Sequence, residues 1–106
     1  MSIVCQQQLS AGVLVDLYTV VKGVVEQELA VYCCNGGRFA AFLDVAVARK
    51  GAPDAPEQYL YVKHPMRCPE TMYLELTPEA GDILRVRAST DAVNCTVMVL
   101  KTVQKD

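Results

Sequence analysis

Five cysteines, one histidine and a scatter of carboxylates are the residues of this 106-residue chain that could do chemistry. Zinc sites legible in a sequence pair their ligands two to four residues apart, so that one turn presents both to the metal. Cys33 and Cys34 are adjacent instead, and Cys5, Cys68 and Cys95 stand alone, with no C-x-x-C anywhere. On a strand, neighbouring side chains point to opposite faces, so Cys33 and Cys34 could share neither a metal nor an unstrained disulfide. Free cysteine otherwise behaves as a small buried hydrophobe. The expectation is therefore no metal, no redox centre and no cofactor.

Nucleophilic catalysis needs a nucleophile, a base and a group that orients the base. His64 is the only histidine, and Lys63-His64-Pro65 reads as a loop at a strand end. Glu26, Glu28, Asp44 and Glu75 could supply paired carboxylates, yet they fall where solvated strand faces are expected. Gly36-Gly37 follows an asparagine between two β-rich runs and precedes no helical pattern, so it is not a phosphate loop. No catalytic residue is assigned, and a non-enzymatic protein is expected.

The elements that would position these residues are short β-rich runs separated by turn residues. They cover 13–18, 25–34, 39–48, 58–63, 71–76, 82–88 and 93–101. Between them lie Lys22-Gly23, Asn35-Gly36-Gly37, the 51–56 stretch with two prolines, His64-Pro65 with Cys68-Pro69, Pro78–Gly81 and Ser89-Thr90-Asp91. Gly and Asn supply positive φ, and Pro removes a ladder donor, so each cluster ends a strand for its own reason. This spacing predicts an all-β domain: a single antiparallel β-sandwich, Ig-like or jelly-roll, of about seven to eight strands. Residues 1–12 are assigned to an N-terminal arm with weak helical character, 13–103 to the sandwich and 104–106 to a tail.

Alternation predicts the inward faces. Met72, Leu74 and Leu76 share one face, as do Leu84, Val86 and Ala88 with Arg85 and Arg87 opposite. Val25, Leu29, Val31 and Cys33 share another, with Gln27 the exception. Cys33 is expected inside, Cys34 at the strand end, and Asn35-Gly36 in a type I′ hairpin or slightly longer loop. Three runs are apolar on both faces. Residues 39–48 are interrupted only by Asp44; Leu60 and Val62 oppose Tyr59 and Tyr61; Cys95, Val97 and Val99 oppose Met98 and Leu100. Such strands need cover from a loop, a second sheet or another subunit.

Composition narrows the partners. Hydrophobic residues at 52% and charged residues at 21% favour a folded domain over disorder. A net charge of -2 offers no electrostatic footprint for nucleic acid or an anionic membrane, and neither is expected as a partner. The N-terminal residues lack a basic stretch followed by a long apolar one, and no run approaches the roughly 18 apolar residues of a membrane helix. Synthesis in a reducing host cytoplasm is expected, and an odd number of cysteines argues against a disulfide framework.

The order of short motifs carries a resemblance. Leu17-Tyr18-Thr19-Val20, Val31 to Cys34-Asn35-Gly36, Phe42 with Val45-Ala46-Val47, Tyr59-Leu60-Tyr61, Glu70-Thr71, Ala80-Gly81-Asp82 and Val86 with Ala88-Ser89-Thr90 follow one another. Over about 17–99 this resembles a set of small virion structural proteins of tailed bacteriophages. It departs from their pattern at Val21, where proline is common, and at Leu100-Lys101, where a glycine-glutamate pair is common. The resemblance implies a sandwich repeated on a capsid or tail and carries over no catalytic residue. It implies a virion location and a decoration (cement) protein that stabilises the assembled shell. A tail, baseplate or fibre-attachment component is the alternative, and a carbohydrate- or peptide-binding β-sandwich module a second one. The lack of tryptophan weakens that last reading, because such modules usually display aromatic platforms. The expected partners are further copies of the chain, a trimer being favoured, and the major capsid protein or a tail or baseplate protein. Tyrosines suit interfaces because a large apolar ring ends in a polar tip. Tyr59, Tyr61, Met98 and Leu100 are the candidate interface residues.

Overall fold

The computed structural model describes residues 2–105. Its strands are β1 (Ser2–Gln8), β2 (Val15–Thr19), β3 (Val24–Asn35), β4 (Ala41–Ala48), β5 (Tyr59–Met66), β6 (Glu70–Leu76), β7 (Ile83–Ala88) and β8 (Val93–Gln104). Two single 3-10 turns, Arg49–Gly51 and Pro56–Gln58, lie between β4 and β5.

The strands form two antiparallel four-stranded sheets, ordered β1-β8-β3-β6 and β2-β7-β4-β5. Four of the pairs, β1·β8, β2·β7, β3·β6 and β4·β5, are those of one long ribbon in which the chain runs out over four strands and returns over four. Rolling that ribbon brings β3 against β8 and β4 against β7, which closes the two sheets. This is a jelly roll. An Ig-like order would pair consecutive strands such as β1 and β2 in one sheet, and here they lie in different sheets.

In β3, β6 and β7 the core between the sheets is built by the faces that alternation predicts, and in β4 and β8 by one of two apolar faces. Leu29, Val31 and Cys33 of β3, Cys95 and Val97 of β8, and Met72 of β6 meet Leu43 and Val45 of β4 and Leu84, Val86 and Ala88 of β7. Gln27 also points inward. Its amide accepts from the Tyr18 hydroxyl at 2.6 Å and donates to the Thr102 hydroxyl at 3.2 Å, joining the two sheets where apolar contacts run out. A buried amide without such partners would be strongly destabilising.

Several expectations are corrected. Residues 2–8 form a strand, not an arm or a helix, and pair with β8 from Ser2↔Val99 to Gln8↔Asn94. As an edge strand it is held by backbone ladder bonds, and of its side chains only Cys5 packs against the core, so no apolar period marks it. At the other end β8 extends to Gln104, opposite Val24. Val25 is exposed while Val24 is buried, because the β3·β8 register slips between Val24 and Glu26. His64 and Pro65 lie within β5, not in a loop. β5 is a sheet edge, where a missing N–H costs the ladder nothing.

The Asn35-Gly36-Gly37 stretch is no type I′ hairpin. Both glycines lie outside the positive-φ region, and the chain crosses from β3 in one sheet to β4 in the other. Gly36 N–H continues the ladder to Ala92 O at 3.0 Å. Asn35 is fully buried, its amide donating to Phe39 O at 2.9 Å and Met66 O at 3.0 Å while its oxygen accepts from Gly37 N–H at 3.1 Å. The asparagine is a tie between sheets.

Candidate functional site

Asp44 is the one polar residue in an otherwise apolar run, and the outer face of the β2-β7-β4-β5 sheet is organised around it. Leu43 and Val45 are in the core, so Phe42, Asp44 and Ala46 project from the opposite face of β4. β7 adds Arg85 and Arg87 to that face. Asp44 Oδ2 accepts from Arg87 Nε at 2.9 Å and lies 2.8 Å from Nη2. This side-on pair leaves the Asp44 side chain 12% exposed and the Arg87 side chain 39% exposed. Hydrogen bonding to Asp44 pushes the Arg87 pKa further up, so the guanidinium is a permanent charge. A second pair, Arg85 Nε to Asp16 Oδ1 at 2.9 Å, sits farther along.

β5 completes the face by two register slips. Leu43 pairs with His64 and Val45 with Tyr61, so Val62 and Lys63 together oppose Asp44. Two residues against one is a β-bulge, and it takes Lys63 to a φ of 51°. The Lys63 N–H is satisfied by Asp44 Oδ1 at 2.7 Å. Both oxygens of Asp44 are thus committed, one to the bulge and one to the arginine. The second slip pairs Ala46 with Tyr59.

These slips separate the candidate interface residues. Simple alternation puts Tyr59 and Tyr61 on one face. Instead Tyr59 opposes Ala46 outside, its hydroxyl donating to Asp54 at 2.7 Å, a bond that raises the Tyr59 pKa. Tyr61 opposes Val45 and packs on the core, edge-on to His64 with ring centroids 5.0 Å apart. Met98 lies opposite Ala30 on the outer face of the other sheet, and Leu100 occupies a slip between Val99 and Lys101; both are half-buried. The four residues form no common patch.

Cover for the outer face of β4 comes from the chain itself. Arg85 Nη1 donates to Ala52 O at 2.8 Å, and Tyr59 is tied to Asp54, so the 49–58 loop folds over the sheet. What remains open is a pair of depressions on either side of the Arg87–Asp44 pair. One, of about 410 Å³, is lined by Gly12, Phe42, Asp44, Lys63, Arg87, Ala88 and Ser89. The other, of about 320 Å³, is lined by Asp44, Asp54, Ala55, Pro56, Tyr59, Val62 and Arg87. Phe42 and Val62 flank them at 49% and 66% exposure. Sequence reasoning placed both in runs that need outside cover but chose Tyr59 and Tyr61 as the contact residues, because alternation alone does not show which face of such a run stays open.

The polar groups of this face are engaged with one another and with the backbone. Asp44 is held as a structural anion by two donors, and the Ser89 hydroxyl accepts the Phe42 N–H at 2.8 Å. His64 is on the inner side of β5, beside Tyr61. Among the described residues no group of three His, Cys, Asp or Glu could hold a metal ion, and no helix is long and apolar enough to cross a membrane. On the other outer face, the Tyr32 and Tyr73 rings pack at a tilt across β3 and β6 with centroids 4.9 Å apart. The Tyr73 hydroxyl donates to Glu75, which pushes its pKa up to about 12. Comparison with protein-family models, with curated proteins and with solved structures returned no match.

Proposed function

We propose that this chain is a non-enzymatic structural subunit of a tailed-phage virion, a decoration protein that docks on the assembled capsid shell. The ordered motifs that resemble small phage virion proteins support the reading. So does the jelly-roll order, which recurs in viral capsid domains as well as in lectins and cupins. Fold alone does not choose among these uses. The observation that carries the choice is the exposed apolar pair Phe42 and Val62 around the Arg87–Asp44 centre. Apolar anchors beside an arginine are the composition of an interface core.

The test is co-sedimentation of purified protein with undecorated shells. Phe42→Glu and Val62→Glu should abolish binding while the protein stays folded by circular dichroism, since neither side chain belongs to the core between the sheets. Wild-type protein that ignores the shells and is missing from purified virions by mass spectrometry would overturn the reading. Gold labelling of virions separates capsid from tail or baseplate placement. Sedimentation of the free protein checks self-association as a trimer. A second reading, a peptide- or carbohydrate-binding module, is favoured by the two depressions beside Arg87 and Tyr59. Peptide and glycan arrays test it directly.

A further inference from the structure

Cys33 and Cys95 are far apart in sequence and directly opposite one another on β3 and β8. The hydrogen bond from Gly36 N–H to Ala92 O identifies the rungs of this ladder. Hydrogen-bonded pairs recur at every second position from there, so Cys34↔Asn94 is one and Cys33↔Cys95 falls on the alternate, non-hydrogen-bonded rung. On such rungs the Cα atoms stand about 4.5 Å apart and the side chains approach most closely. That separation falls inside the range of about 4.4–6.8 Å over which disulfides form.

The sulfurs are 3.3 Å apart, the Cys95 thiol donating to Cys33. Both are buried in the core, among Val31, Met72 and Val97. That hydrogen bond holds the Cys33 thiol below its ordinary pKa, against the opposing effect of burial, and holds Cys95 well above it. All five cysteines are free, and the others are placed differently: Cys34 is half-buried at the end of β3, Cys68 is exposed, and Cys5 lies on the edge strand opposite Val97.

We propose that Cys33 and Cys95 are an oxidation site, a thiol pair that hydrogen peroxide converts into a disulfide linking β3 to β8. The Cys33 thiolate attacks one peroxide oxygen; the O–O bond breaks, and the departing hydroxide takes a proton to become water. Cys33 is left as a sulfenic acid. The Cys95 sulfur then attacks the Cys33 sulfur, the S–O bond breaks, and hydroxide leaves with the Cys95 proton as a second water. Two thiols and one peroxide give one disulfide and two waters. Peroxide is close to water in size, so brief local opening of the sandwich admits it where a bulky disulfide reagent would not fit. The bond would join the two central strands of the β1-β8-β3-β6 sheet and close a long loop of the unfolded chain. This inference is independent of the virion reading.

The test uses the full chain, reduced and then exposed to graded hydrogen peroxide, followed by thiol alkylation under denaturing conditions. Expected are the loss of Cys33 and Cys95 together from the alkylatable thiols, a Cys33–Cys95 cross-linked peptide by mass spectrometry, and a Tm rise of at least roughly 8 °C that dithiothreitol reverses. A Cys5→Ser, Cys34→Ser, Cys68→Ser variant should show the same rise, and Cys95→Val should show none. The proposal is overturned if the cross-link joins other cysteines. It is equally overturned if Cys33 and Cys95 stay fully alkylatable in wild-type protein whose exposed Cys68 has been oxidised.

Discussion

Replacing Asn35 by alanine should destabilise the protein more than any exposed substitution, and the size of the loss can be worked from its partners. The change removes two donated bonds, to Phe39 O and Met66 O, and the acceptor of the Gly37 N–H. Met66 is fully buried, so its carbonyl is stranded at a cost of about 1–3 kcal/mol. Phe39 and Gly37 lie nearer solvent and can recover water, leaving about 0.5–1.5 kcal/mol each. The expected total is about 4 kcal/mol, or roughly 16–32 °C in Tm for a domain of this size. Urea unfolding followed by circular dichroism measures it. Asn35→Asp sharpens the test, since an ionised carboxylate can serve Gly37 but can donate to neither carbonyl. The folded-state pKa of that new carboxyl should lie above its unfolded value. The variant's stability is then highest below the unfolded value and is lost as pH rises through the folded one. A loss under about 1 kcal/mol for Asn35→Ala, with a pH-independent Asn35→Asp, would refute the assignment of Asn35 as an inter-sheet tie.

Neighbouring glycines should respond to different degrees. A Cβ on Gly37 would stand 2.7 Å from the Ala92 Cβ, whereas one on Gly36 meets only Ala92 O at 3.8 Å. Gly37→Ala should cost about 1–3 kcal/mol by thermal melting, and Gly36→Ala under about 1 kcal/mol. Asp44→Ala should cost about 2 kcal/mol in urea unfolding by orphaning the Lys63 amide and releasing Arg87, and Asp44→Asn less, since an amide oxygen still serves the bulge. Ultraviolet titration should find one tyrosine ionising at about 12, and Glu75→Gln should return it towards the ordinary value. The folded phenol keeps its proton between the ordinary tyrosine value of 10.0 and about 12 while the unfolded one loses it. That group's contribution is therefore complete below the unfolded pKa and falls as pH rises through the window.

Alternation was enough to read the class of fold and most of its inward residues. Leu29, Val31, Cys33, Met72, Leu84 and Val86 are buried as their period of two predicts. That property is local: the pleat puts successive side chains on opposite faces whatever strand lies alongside. The outward Arg85 and Arg87 follow from the same rule. Pairing is not local. The jelly-roll order, the strand formed by residues 2–8, and the meeting of Cys33 with Cys95 all depend on which distant segments share backbone hydrogen bonds, and the backbone is the same at every residue. The bulges at Leu60 and at Val62–Lys63 show the consequence at the site. Each adds one residue to β5 against β4, which sends Tyr59 outward and Tyr61 inward and turns the Lys63 amide onto Asp44. Residue types fixed which side chains were able to bind, and closure of the two sheets decided which of them face solvent together.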